Sequence, residues 1–156
     1  MKCLVAILTL FFTTLSIVDG KVSRIVIDER ILLADGYKFG DVGPYEKLRG
    51  KIYYEMDPAS QANARIVDLQ LAPRNKHGMV ECYGDFILLK PVDMDMANGR
   101  LLYDVNNRGN LYMLRHMNGS PGSNNPQSLE HCGNGFLMRE GTSRIIRYAH
   151  CRVNVF

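Results

Sequence analysis

Short apolar segments, separated by turn residues about every ten positions, fill the first two-thirds of the chain. Within several of them apolar and polar residues alternate with a period of two, which is typical of half-buried strands. Turn-forming pairs such as Gly-Pro and Asp-Pro interrupt the segments. We therefore predict a run of short strands at residues 21–34, 45–56, 66–71 and 80–89.

The next predicted strand ends in a polar loop. Residues 101–105 are β-favouring, and the preceding pair Asn98-Gly99 predicts a hairpin with the apolar run at residues 85–92. Residues 106–109 read Asn-Asn-Arg-Gly and predict a loop. In α/β enzymes a glycine loop after a strand supplies backbone amides that bind an anion or an oxyanion. We therefore expect this loop to face a ligand.

The pattern changes after this loop. Residues 118–127 are rich in Asn, Gly, Ser and Pro, which predicts a surface loop, and the Asn-Gly-Ser at residues 118–120 is a formal N-glycosylation sequence. Residues 128–140 predict a helix that Ser128 can cap, although two glycines weaken its first half. A buried strand is expected to begin at Ile145.

The N-terminus has the pattern of a secretory signal peptide. Lys2 is followed by an uncharged, mostly apolar segment at residues 3–18 and by tolerated residues for cleavage after Gly20. This segment is shorter than the roughly 20 apolar residues that a membrane-spanning helix needs. The sequence thus predicts a cleaved signal peptide at residues 1–20, no stable membrane anchor, and a secreted or periplasmic protein.

Charge and cysteine content exclude several classes of ligand. A net charge of +3 is too small for a nucleic-acid footprint, and the basic excess lies in residues 141–156. Beyond the signal peptide Cys82, Cys132 and Cys151 are odd in number and widely spaced, so they favour structural cysteines over a disulfide framework. Their neighbouring histidines lack the spacing of a metal site. We predict no metal, no cofactor and no nucleic-acid partner.

Four segments carry a resemblance to a known family. They lie, in the same order, at residues 40–46, 66–75, 101–109 and 133–141. They resemble the N-terminal portion of the bacterial "alpha/beta hydrolase domain" family of large, mostly uncharacterised exported proteins. The resemblance implies an α/β fold class, namely the incomplete N-terminal part of an α/β-hydrolase-like fold. In this stretch its strands are mostly antiparallel, and one or two helices lie near the C-terminus.

The resemblance also implies a division of the chain and a place for its loop. Residues 21–140 would be the N-terminal part of the hydrolase domain, with residues 100–105 as a central strand, and residues 141–156 would be an atypical basic tail. Members of the family continue well beyond this point, so we expect a truncated or frameshifted fragment. In the full-length form Asn107, Arg108 and Gly109 are the candidates for the oxyanion loop.

Two functions remain open at the level of the sequence. The first is ester-type hydrolysis of an unknown small molecule by the full-length form. No G-x-S-x-G nucleophile motif is present, so we name no catalytic residue and expect this chain to be inactive alone. The alternative is a non-enzymatic, exported, β-rich binding or interaction module. In either case an unpaired edge at residues 101–105 predicts self-association.

Overall fold

The computed structural model describes residues 20–105, 109–147 and 152–153. Within these ranges one sheet contains six strands, which are β1 (Gly20–Leu32), β2 (Tyr45–Met56), β3 (Val80–Pro91), β4 (Leu101–Val105), β5 (Ser143–Arg147) and β6 (Arg152–Val153). The strand order is β1-β2-β3-β5-β4, and β6 pairs with β3. Three short helices of the same ranges lie between β4 and β5, namely α1 (Met113–Asn118), α2 (Leu129–Cys132) and α3 (Phe136–Arg139).

Strands β2 and β3 form the centre of the sheet. They are antiparallel and pair along their whole length, from Tyr45 opposite Pro91 to Met56 opposite Val80. Because side chains alternate along a strand, odd-numbered residues of both strands share one face, which we call the helix face. Even-numbered residues share the opposite face, where Leu48, Ile52 and Phe86 form a small buried cluster.

The main core lies on the helix face, between the sheet and the three helices. Twelve buried residues form it, drawn from β2, β3, the helices, the turns before β2 and the segment that leads into α1: Leu33, Ala34, Phe39, Val42, Tyr45, Ile87, Leu89, Leu111, Leu114, Cys132, Leu137 and Met138. The helices therefore owe their stability to packing on the sheet, since isolated helices of this length are not stable in water.

The predicted α/β-hydrolase-like fold class is wrong. The pairings among β1, β2, β3 and β5 are antiparallel, and only β4 and β5 are parallel within the described residues. A parallel α/β sheet needs long helices on both faces, whereas the described helices have six, four and four residues. The predicted helix at residues 128–140 is split because Gly133 and Gly135 adopt positive φ angles of 57° and 71°.

Three further predictions about the strands are corrected. Residues 66–71 are not a strand, because Asp68 adopts a left-handed conformation with φ of 59° and the chain forms tight turns. The strand predicted as central is β4, which ends the strand order. The predicted hairpin also fails, since β4 pairs with β5 and not with β3.

Asn98 explains why the hairpin does not form. Its side-chain amide donates hydrogen bonds to the carbonyl oxygen of Glu140 at 2.6 Å and to Oγ1 of Thr142 at 3.0 Å. Its side-chain oxygen accepts a hydrogen bond from the amide of Arg100 at 2.9 Å. These bonds hold the beginnings of β4 and β5 side by side, and parallel pairing follows.

Tyr45 joins the sheet to the end of α3. The ring is 1% exposed and packs edge-on against Phe39, with ring centroids 5.7 Å apart. The hydroxyl lies 3.1 Å from the carbonyl oxygen of Met138 and 3.2 Å from that of Thr142, so one proton serves two buried acceptors. A buried carbonyl that loses its donor costs free energy, which makes this hydroxyl structurally important.

We predict that Tyr45→Phe lowers the free energy of unfolding by about 1–2 kcal/mol, because it removes the donor and keeps the ring. Tyr37→Phe is the matched control, since Tyr37 is 49% exposed. Chemical denaturation of both variants measures the difference. Equal stability of the two variants would show that the two carbonyl groups do not depend on Tyr45.

Candidate functional site

The loop after β4 is described only in part. Asn107 and Arg108 lie outside the described residues, so the predicted oxyanion loop is represented by Gly109 alone. Gly109 has a φ of 83°, a conformation that favours glycine, and space around it would admit a side chain. The conformation, and not crowding, therefore favours glycine where the chain turns from β4 towards α1.

A pocket adjoins this turn, and we call it the strand-end pocket. Its volume is about 370 Å³. It is lined by a segment leading into α1, by Arg115 of α1, and by a segment following α1: Asn110, Leu111, Tyr112, Arg115, Pro121, Gly122, Ser123 and Asn124. The pocket lies beside Gly109, beyond the carboxyl end of β4.

Asn124 joins the two segments that line the strand-end pocket. Its side-chain oxygen accepts a hydrogen bond from the amide of Leu111 at 2.9 Å. Its side-chain nitrogen donates to the side-chain oxygen of Asn110 at 3.1 Å. A single amide group thus satisfies polar atoms of the opposite segment and sets the width of the pocket.

Lys47 fixes the loop behind the pocket to the sheet. Its side chain has no exposed surface, and its ammonium group lies 3.2 Å from Oε2 of Glu29 and donates to Oδ1 of Asn125 at 2.6 Å. A buried charge is tolerated only with partners of this kind. Since Lys47 is enclosed and engaged on both sides, we assign it a structural role.

Asp104 sets the position of α1 relative to β4. This carboxylate is 5% exposed, and its Oδ2 accepts a hydrogen bond from the amide of Met113 at 3.1 Å. On α1, Arg115 lines the strand-end pocket. The rings of Tyr112 and His116 lie 5.8 Å apart, as expected for residues one helical turn apart.

The strand-end pocket has a positive charge. Among the described residues that line it, Arg115 carries the charge and none is Asp or Glu. Within the described ranges Arg115 has no ion-pair partner. A guanidinium group presents planar pairs of N–H donors that match a carboxylate or phosphate group. The arrangement is therefore suited to binding an anion.

A serine and a histidine do approach each other elsewhere, at the beginning of α2. Oγ of Ser128 lies 3.0 Å from Nδ1 of His131. The same nitrogen also accepts hydrogen bonds from the backbone amides of Gln127 and Ser128, both at 3.2 Å. Because backbone donors point at Nδ1, this pair caps the helix and is not arranged to activate a nucleophile.

The glycosylation sequence at residues 118–120 is not accessible. Asn118 was expected in a surface loop, but it ends α1 and has no exposed surface. Its side-chain nitrogen donates to the carbonyl oxygen of Cys132 at 2.8 Å, and its oxygen accepts from the amide of Leu137 at 3.2 Å. A glycan on this nitrogen is incompatible with the folded structure.

The cysteines are consistent with the predicted structural role. Cys82 on β3 is disulfide-bonded. Cys132 is not disulfide-bonded and is fully buried. The sequence could not identify the cysteine that pairs, because spacing along the sequence says little about distances across a sheet, in which remote segments lie side by side.

Most of the strand-end pocket was not predicted from the sequence. Only Gly109 of the predicted loop adjoins it in the described structure, and Arg115 was not singled out. The available indication was the pair Tyr112 and His116, which are four residues apart and favour a helix. Contacts such as that of Asn124 with Leu111 connect residues that are not neighbours in sequence and leave no local pattern.

Comparison with known proteins gives no relative. No protein-family profile, no curated protein and no solved structure matches the chain. The resemblance to a bacterial hydrolase family therefore stays a prediction.

No helix in the described ranges has the length and apolar character that crossing a membrane requires.

Proposed function

We propose that the protein is an exported, non-enzymatic, β-rich binding module that holds a small anion in the strand-end pocket. The observation that carries this proposal is the Arg115 guanidinium group, which lines the pocket without a neighbouring carboxylate there. A bound anion neutralises the positive charge of the Arg115 guanidinium group. A carboxylate or a phosphate group can accept two parallel hydrogen bonds from the guanidinium group.

The rigidity of the strand-end pocket supports a binding role. Asn124 ties its two walls together, and Lys47 holds the loop that follows through Asn125. Asp104 fixes the helix that carries Arg115. Because these groups are already in place, little conformational entropy is lost when a ligand enters.

Export is part of the proposal. The chain is secreted or periplasmic, and residues 1–20 direct it there as a signal peptide. The disulfide at Cys82 supports this location, since disulfides persist in oxidising compartments and are rare in the cytosol.

We expect benzoate and inorganic phosphate to bind the strand-end pocket and to shift the amide resonances of Leu111 and Ser123 in an NMR titration. Arg115→Gln should abolish the shifts, and Arg115→Lys should weaken binding by about tenfold, because lysine lacks the planar fork. Arg65→Gln, in an exposed turn, is the charge-matched control. Binding that survives Arg115→Gln unchanged would refute the proposed site. Response to only one of the two anions would identify the group that is recognised.

A second candidate function is a contribution to ester hydrolysis within a longer protein, as the resemblance implies. Two of the segments that carry the resemblance contact each other: the hydroxyl of Tyr45 bonds to the carbonyl oxygen of Met138, and Arg139 approaches Gly40. Their contact favours a shared structural role for the resembling segments.

Under either function we expect no hydrolysis of p-nitrophenyl acetate or butyrate by this chain above the rate of a heat-denatured sample. The sequence lacks a nucleophile motif, and the Ser128–His131 pair is engaged in capping. Measured turnover that disappears in Ser128→Ala would show that this pair is catalytic after all.

We also propose self-association through β4. In the described sheet β4 ends the strand order, and its Leu101, Tyr103 and Val105 are 61%, 47% and 78% exposed. Antiparallel pairing of two copies about Tyr103 would place Leu101 of one copy opposite Val105 of the other. Apolar side chains would then lie opposite each other, and no like charges would face each other, which favours a second copy as the partner.

Light scattering during size-exclusion chromatography tests this association. We expect the apparent mass to rise with concentration, and Tyr103→Lys to restore the monomer, because a charge on an edge strand opposes pairing. Tyr37→Lys, at an exposed residue outside the sheet, is the control. A monomer at every concentration would rule out association through β4.

A further inference from the structure

A second pocket lies between the turn before β2 and the link from α2 to α3, and we call it the glycine pocket. Its volume is about 150 Å³. Its lining includes Tyr37, Lys38, Gly40, Gly133, Gly135 and Arg139. It shares no described lining residue with the strand-end pocket, so the two pockets are separate.

Glycines leave the space that the glycine pocket occupies. Gly40 and Gly135 have φ angles of 59° and 71°, conformations that favour glycine. A Cβ atom at Gly135 would lie 3.0 Å from the ring of Phe39 and 3.2 Å from a guanidinium nitrogen of Arg139. A side chain at this position would therefore crowd the space beside the guanidinium group.

Backbone hydrogen bonds hold both walls of the glycine pocket. On the β2 side, the amide of Phe39 donates to the carbonyl oxygen of Gly43 at 2.9 Å, and the amide of Gly43 donates to that of Gly40 at 3.3 Å. On the helix side, the amide of Asn134 donates to the carbonyl oxygen of Asn118 at 2.8 Å. Both walls are therefore in place before a ligand binds, which lowers the entropy cost of binding.

The glycine pocket carries two positive charges. Lys38 and Arg139 line it, and none of its described lining residues is Asp or Glu. Asp41, close by in the sequence, is exposed and is not among the lining residues. In the part of the chain that the structure describes, neither cation has an ion-pair partner. The pocket therefore lacks a negative charge to balance them.

Arg139 is held in place and keeps donors for a ligand. One of its guanidinium nitrogens donates to the carbonyl oxygen of Asn134, and its Cγ would lie 3.7 Å from a Cβ atom at Gly40. The carbonyl group is neutral, so this bond leaves the positive charge uncompensated. A guanidinium group has five N–H donors, and most of them remain for a ligand.

We propose that the glycine pocket binds a dianionic phosphate group, either free phosphate or the phosphate end of a small monoester. Arg139 supplies a planar set of N–H donors and Lys38 supplies a point charge, and both groups bind phosphate. Two cations without a counter-charge favour a dianion over a monoanion.

The size of the glycine pocket agrees with a group of this kind. Whole ligands usually occupy about 300–1,000 Å³, so this smaller pocket would take the phosphate group and leave an ester group outside. The ring of Tyr37 is 49% exposed and lies edge-on to Phe39, with ring centroids 5.1 Å apart. It offers an apolar contact for an aromatic ester group at the rim.

An NMR titration of the full chain with phenyl phosphate tests the proposal. We expect the amide resonances of Asn134 and Gly135 to shift. Methyl phenyl phosphate has the same ring but one negative charge, so it should bind at least about tenfold more weakly. If these amides do not respond to phenyl phosphate, or if the diester binds as tightly, the proposal is overturned.

Inorganic phosphate distinguishes the two sources of the phosphate group. Equal or tighter binding of inorganic phosphate at Asn134 and Gly135 supports a site for free phosphate. Tighter binding of phenyl phosphate supports a site for a monoester whose ring contacts Tyr37, and Tyr37→Ala should then remove the difference.

Two variants test the cations. Lys38→Gln should weaken phenyl phosphate binding at least about tenfold, whereas Lys38→Arg should preserve it, because the charge is the property required. Arg139→Lys should weaken binding by about tenfold, because lysine lacks the planar fork. Lys76→Gln, at an exposed position outside the pocket, is the charge-matched control. Unchanged affinity in either Lys38→Gln or Arg139→Lys would overturn the proposal.

Arg115→Gln separates this site from the strand-end pocket. In this variant phenyl phosphate should still shift Asn134 and Gly135 with unchanged affinity, whereas benzoate should no longer shift Leu111. If Arg115→Gln abolishes the shifts at Asn134 and Gly135, the assignment to the glycine pocket is wrong. Failure of benzoate binding alone leaves the glycine pocket supported, because the two experiments report on different residues.

Discussion

The uninterrupted pairing of β2 with β3 is the constraint on which the rest of the structure depends. Each strand has twelve residues, and the register does not shift along them. A slip of one residue would turn Tyr45, Lys47 and Glu55 to the opposite face. The contact with the helices and the support of the strand-end pocket therefore share one physical cause.

The sequence predicts the strands of this central region well, because a half-buried strand leaves a local period of two. Strand β2 has the predicted bounds, and β1 and β3 differ from prediction by a few residues at their ends. The pairing of β4 was predicted wrongly, since it depends on Asn98 bonding to Glu140 and Thr142, far along the chain. The partner of a strand is therefore determined by residues that are remote in the sequence.

The candidate site likewise combines features that local sequence predicts with features that depend on remote contacts. The turn at Gly109 after β4 could be recognised from residue types alone, whereas the role of Asn124 depends on a loop brought back to Leu111 by folding. Asn118 is the clearest failure of local reasoning. Its polar surroundings in the sequence predict exposure, yet its amide group satisfies buried backbone groups and is itself buried. Composition describes neighbours in sequence and not neighbours in space.

The position of β5 between β3 and β4 has a consequence for how the molecule assembles. Strands β1 and β2 each pair with the next strand in the sequence, but β4 joins the sheet only through β5, which the chain reaches much later. Contacts between distant segments carry a larger loop-closure entropy and form slowly. During folding, both edges of β4 therefore stay unpaired until the segment that follows the helices has docked on β3.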